Sequence, residues 1–163
     1  FFDYIEEGAK RAGRSLYDLD LQVGGAVCFT DEVDAAVESL RPSLAFTLGA
    51  MGSKQFNFYN SAYRRAGYSE VAEEVQRLWL NGNRDEARKL VPAEMILQSN
   101  LIGTDQMVKE RLRAYRDVGV TTLNASIGQR TGIRGSTPAL SLSDRIESLG
   151  HLMDLVKEVN QER

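Results

Sequence analysis

Residues Ser99 to Ile127 constrain the fold more than any other stretch of the chain. Leu101-Ile102 is a short apolar run, and Thr104 follows as a good helix N-cap, because its hydroxyl accepts a hydrogen bond from a free amide of the first turn. Asp105 then places negative charge at the positive end of the helix dipole. Val108, Leu112, Tyr115 and Val118 recur at helical spacing, and Gly119 suits the left-handed position that ends a helix. The run Val120 to Ile127, β-branched at its start, reads as a buried strand. A helix joined this tightly to a strand is the winding unit of an α/β barrel.

The rest of the chain repeats the alternation. Phe2, Ile5, Ala9 and Ala12 place an apolar stripe on a first helix that stops at Gly13. Leu19–Phe29 reads as a strand, mostly apolar and therefore buried on both faces. Thr30 or Asp31 caps a helix with the stripe Val33, Val37, Leu40 and Leu44 and a bend expected at Pro42. Helical pieces at Asn57–Arg65, Glu70–Leu80 and Arg84–Val91 follow, the last two parted by Asn81-Gly82-Asn83 and ended by Pro92. After the second strand comes a glycine-rich loop, Gly128 to Ser136, and a last helix from Ser141 or Ser143 with the stripe Ile146, Leu149, Met153 and Val156.

Two strands in 163 residues are too few for a complete barrel, which takes about 250 residues. The fold expected is α/β: the C-terminal part of a (β/α)8 TIM barrel, one domain over residues 1–163, with a helical insertion at 49–94 between its last two strands. The open edges of two isolated strands imply a partner, either a missing N-terminal barrel half or a second copy. A first residue of Phe fits a partial chain, and a small independent α-rich domain is the alternative.

The formal net charge is −3, with neither sign in a long block, which speaks against a nucleic-acid-binding face. No apolar stretch approaches the roughly 20 residues of a membrane span. A single cysteine, Cys28, excludes an intrachain disulfide and a cysteine-based zinc cluster, so a reducing cytoplasm is expected.

The pattern "LIGT…VKERLRAYRDVGVTTLNAS" resembles the last helix–strand unit of the luciferase-like flavin and deazaflavin oxidoreductases, as does "GAKRAGRSLYDLDLQVGGAVCFTDEVDAA" upstream. Arg41-Pro42, Gly49 with Met51-Gly52-Ser53-Lys54, and Asn57-Phe58-Tyr59-Asn60 resemble the coenzyme F420-dependent branch. The likeness runs from Phe1 to about Ile127. It implies hydride transfer between a deazaflavin and a small organic substrate, in a homo-oligomeric enzyme whose ring-binding wall lies mostly on earlier strands. On its own this chain is then expected to be inactive. FMN in place of coenzyme F420, as in a luciferase-like monooxygenase, is the near alternative. A non-catalytic, helix-rich interaction module is the distant one.

Barrels bind ligands at the C-terminal ends of their strands, here Cys28-Phe29 and Ser126 to Arg130. Ser53 and Lys54 follow a glycine break where amides and an ammonium could hold an anion; a solvated turn is the plain reading. Tyr59, within the aromatic piece Phe56 to Asn60, offers a ring with a polar tip suited to a pocket wall, though such a cluster also packs an insertion onto a barrel. Arg130 and Arg134 sit among glycines in a loop placed as phosphate-binding loops are, but without a Gly-Lys-Ser/Thr ending. Cys28 is expected to be a small buried apolar residue and His151, the only histidine, a surface or packing residue. No metal site is expected, and no catalytic residue can be named.

Overall fold

A computed structural model of the chain describes residues 2–53, 55–128 and 140–162. Its elements alternate as the sequence implies, around one small parallel sheet. Helix α1 (Phe2–Arg11) leads to strand β1 (Gln22–Phe29) and helix α2 (Val33–Ala50), which runs on through Pro42. Helices α3 (Phe58–Tyr63), α4 (Ser69–Leu80), α5 (Arg84–Lys89) and α6 (Ala93–Gln98) follow. Strand β2 (Leu101–Gly103), helix α7 (Asp105–Asp117), strand β3 (Thr122–Ile127) and helix α8 (Leu142–Gln161) complete the order.

The central unit forms as its residues dictate. The Thr104 hydroxyl accepts from the Met107 amide at 3.4 Å, capping α7. At the other end Gly119 takes φ +84°, its amide bonds to Arg116 O, and the Val120 amide bonds to Tyr115 O. That pair of bonds satisfies two of the helix's orphan carbonyls before the chain turns into β3.

The two strands read from sequence are parallel neighbours, in the register Gln22↔Thr122 through Val27↔Ile127. The count of two is corrected, because Leu101–Gly103 is a third strand, paired parallel with Val27 to Phe29. The sheet order is β2-β1-β3, which corrects the barrel winding expected, because in a barrel successive strands are neighbours and the helices all lie outside. The helical segment α3–α6 therefore separates the first two strands rather than the last two, and α6 was not foreseen after Pro92. The chain crosses β1 on its way from β2 to β3. A right-handed connection in each direction puts the two sets of helices on opposite faces, and the cores agree. Leu101 packs with Val108, Leu112, Leu152, Leu155 and Val159 under α7 and α8, while its neighbour Ile102 packs with Val37, Ala45, Leu48 and Val75 around α2 and α4.

The β1–β2 junction is close-fitting. The Asn100 side chain accepts from the Ala26 amide at 2.7 Å and donates to Ile96 O at 2.7 Å, standing in for the ladder where β2 has not yet begun. A Cβ built at Gly25 would lie inside contact distance of the Ser99 carbonyl oxygen and 3.2 Å from Asn100 Cα, so only glycine fits.

Of the stripe expected on helix α8 only Val156 packs against the core. Leu152, Leu155 and Val159 are in the core, whereas Leu142, Ile146, Leu149 and Met153 are exposed. Charged pairs align it with α7: His151–Asp105 at 2.8 Å, Lys109–Glu158 at 2.5 Å and Arg113–Glu162 at 2.6 Å. Partners advance together in sequence, so the two helices run parallel.

Candidate functional site

Residue alternation along β1 and β3 divides the sheet into two unlike faces. Val27, Leu123, Ala125 and Ile127 go to the core under α7 and α8. Gln22, Gly24, Ala26 and Cys28 of β1, with Thr122, Asn124 and Ser126 of β3, share the other face. Gln22, Gly24, Cys28 and Asn124 are exposed there, so β1 is not buried on both faces as its composition implied. The face is small and polar: glycine and alanine leave it flat, and hydroxyl, amide and thiol groups border it. Ser126 stands opposite Ala26, next to the C-terminal ends of both strands.

Cys28 is corrected by the same geometry. The strand's period of two sends it to the open face with Gln22 and Gly24, and it is exposed rather than buried. Its neighbours still crowd it enough that desolvation raises the thiol pKa. At neutral pH the protonated form dominates, which disfavours a nucleophilic role.

At the C-terminal edge of the sheet three elements meet. The Thr30 amide donates to Gly103 O at 3.0 Å, extending the β1–β2 ladder. The Phe29 ring packs edge-on against the His151 ring, with centroids 4.5 Å apart. His151 Nε2 lies 2.8 Å from the Asp105 carboxylate. Arg145 Nε donates to Ile127 O at 3.1 Å, tying the start of α8 to the end of β3. Parallel α/β sheets bind ligands at this edge, outside the carboxyl ends of the strands. His151 is thus a junction between α7, α8 and β1, in line with the packing role expected of it.

The sequence-derived binding residues fall elsewhere. Ser53 and Tyr59 lie beyond the far end of α2, whose 18 residues rise about 27 Å from the end of β1. No hydrogen bond or ring contact joins them to the sheet edge among the described residues. Lys54, Arg130 and Arg134 lie outside the described residues. Around Ser53 the chain makes a tight turn: Ser53 N donates to Phe56 O and Phe56 N donates to Ser53 Oγ, both at 2.9 Å.

The aromatic–amide piece after Gly52 has a divided role. Asn57 and Asn60 are buried and structural. Asn57 Nδ2 donates to Thr47 O and Leu48 O, its Oδ1 accepts from the Asn60 amide, and Asn60 Nδ2 bridges Leu48 O and Ala72 O. Together they satisfy the last carbonyls of α2 and bind α3 and α4 to it. Phe56, Phe58 and Tyr59 point outward from that rigid base and are exposed.

Among the described residues no group of His, Cys, Asp and Glu could hold a metal ion. No helix among them is long and apolar enough to cross a membrane.

Comparison with known proteins decides the family. The model of the luciferase-like monooxygenase family matches residues 1–122. The chain belongs to this family. A Mycobacterium tuberculosis protein named as a candidate coenzyme F420-dependent oxidoreductase is 31% identical over 134 residues, covering 81% of this chain and 39% of that protein. The 5,10-methylenetetrahydromethanopterin reductase of Methanopyrus kandleri is 32% identical over 120 residues, covering 72% of this chain and 32% of the reductase. The solved structure of the coenzyme F420-dependent tetrahydromethanopterin reductase from Methanopyrus kandleri superposes with a TM-score of 0.60 at 26% identity, over 90% of this chain and 38% of that one. The chain thus spans no more than about two fifths of these relatives. The structural match agrees with the α/β, helix-rich architecture. The open sheet face is what sequence reasoning missed. Its signal was present as Gly24, Ala26, Asn124 and Ser126 at alternate positions of the two strands.

Proposed function

We propose that this chain supplies the C-terminal (β/α) units of a coenzyme F420-dependent oxidoreductase that transfers a hydride between the deazaflavin and a small organic substrate. The observation that carries the reading is the open polar face of the β1–β3 pair, in a family whose matched relatives are named for that coenzyme. The residues present fit a planar ring. Gly24 and Ala26 put no bulk above the sheet, and Asn124 and Ser126 offer an amide and a hydroxyl to the polar edge of such a ring.

When bound, the deazaflavin supplies the hydride chemistry. The chain's part is to bind, orient and exclude water. Asn124 and Ser126 would hold the polar edge of the ring, over the flat floor of Gly24 and Ala26. Ser53 and Tyr59, beyond the far end of α2, do not reach a ring held on this face; Lys54, Arg130 and Arg134 are the candidates for anionic groups of substrate or cofactor. The remaining wall comes from an N-terminal barrel portion of a longer polypeptide, and the 163-residue piece alone is inactive. The assembled enzyme is a cytoplasmic homo-oligomer.

The test is a titration of the full-length polypeptide with coenzyme F420 and, separately, with FMN, followed by fluorescence quenching. Saturable binding of the deazaflavin, weakened about tenfold or more by Ser126→Leu without loss of folding, is the expected result. Preference for FMN, or indifference to Ser126→Leu, refutes the assignment.

A further inference from the structure

We infer that His151 is a positioning residue: it ties α8 to the C-terminal ends of β1 and β2 and so fixes the edge of the sheet at which ligand binds. That the ligand is a deazaflavin rests on the reading above; the tie itself rests on geometry alone.

Three contacts converge on this one imidazole. Its Nε2 hydrogen-bonds Asp105, the first residue of α7, at 2.8 Å. Its ring packs edge-on against Phe29, the last residue of β1, at 4.5 Å between centroids. Its backbone belongs to α8, which the buried Leu152 and Leu155 anchor next door. Asp105 follows directly on Thr104, whose hydroxyl caps α7, and on Gly103, whose carbonyl accepts from Thr30. Holding Asp105 therefore holds the β2–α7 turn, and through Gly103 it holds the end of β1.

The bond also orients the ring. Asp105 accepts in this bond and Nε2 donates. Gly103 is the turn that the tie reaches. It sits at φ +121°, a conformation with no side chain to hold it, between a three-residue strand and the first turn of a helix. The buried Leu101 and Ile102, the Thr30–Gly103 bond and the Thr104 cap hold that turn from within, and His151 adds a tie from α8.

His151→Ala, His151→Gln and Asp105→Asn in the full-length polypeptide test the idea. Glutamine keeps a donor for Asp105 but loses the ring. Two readouts serve: amide hydrogen exchange at Thr30 and Met107, compared with Val37 in the distant α2 core, and the dissociation constant for coenzyme F420. Exchange at Thr30 and Met107 is expected to rise at least tenfold in His151→Ala, with Val37 within twofold of the parent. Deazaflavin binding is expected to weaken at least fivefold, and His151→Gln, which keeps the hydrogen bond but not the ring packing, to recover part of both changes. Equal acceleration at all three amides means general destabilisation and overturns the inference. So does failure of glutamine to rescue, or exchange at the edge unchanged by any variant. If the parent binds no deazaflavin, the functional reading fails and the exchange comparison alone decides the tie.

Discussion

Gly25→Ala measures how tightly the middle strand is locked to β2. The added methyl meets the carbonyl oxygen of Ser99 inside contact distance, and Asn100 Cα and Oδ1 at 3.2 Å. The obstructing atoms are mostly backbone, so no rotamer change relieves the clash. Overpacking of this kind costs about 1–3 kcal/mol. Moving residues 99–100 away also strains the Ala26 N–H bond to Asn100 Oδ1, now 2.7 Å, which is worth about 1 kcal/mol. Against this, replacing glycine within a strand recovers about 0.5–1 kcal/mol of chain entropy. The net expectation is a loss of about 1–3 kcal/mol, or about 2–4 °C in Tm for each kcal/mol in a domain this size. Urea unfolding followed by far-ultraviolet circular dichroism gives the number. Gly8→Ala is the control, because its Cβ would meet nothing within 4 Å inside α1; it should stabilise by up to about 1 kcal/mol. If Gly25→Ala lies within about 0.5 kcal/mol of the parent, or tracks the control, the close approach of β2 is not real.

Asn60→Ala removes two donors from a buried site and leaves Ala72 O without its side-chain partner; the same unfolding assay should show a loss of about 2–4 kcal/mol. Acid should loosen the end of α8, since the Arg113 hydrogen bond holds the Glu162 pKa below its usual value. A carboxyl depressed on folding contributes above its unfolded pKa and loses that contribution as pH falls through the folded one. Amide exchange in the last turn of α8 should therefore accelerate below about pH 4, and Glu162→Gln should remove the dependence. Cys28, exposed but with its pKa raised, should alkylate completely yet more slowly at pH 7.5 than a free cysteine. Incomplete labelling of the folded chain would contradict its place on the open face.

How much of this was legible in the sequence depends on whether a local interaction or a tertiary one decides each feature. The α7 unit was readable because its signals are local: Thr104 caps, Gly119 stops, and both do so in the structure. The start of α8 was readable for the same reason, through the reciprocal bonds of Ser141 and Asp144. Strand β2 was not, since three residues carry no period and become a strand only because Val27 to Phe29 lie alongside. Nor was the buried face of α8. The helix carries two apolar stripes, one through Leu142, Ile146, Leu149 and Met153 and one through Leu152, Leu155 and Val159. Either would satisfy helical periodicity, and only packing against Val108 and Leu112 of α7 selects the second. The site divides in the same way. Chemistry-bearing residue types were easy to pick out as Ser53, Lys54, Tyr59, Arg130 and Arg134. The flat face made by Gly24, Ala26, Asn124 and Ser126 was hidden, because it exists only once residues 22–27 are set in register against residues 122–127. A surface defined by what its side chains lack leaves little trace in one strand; it becomes a site when two such strands pair.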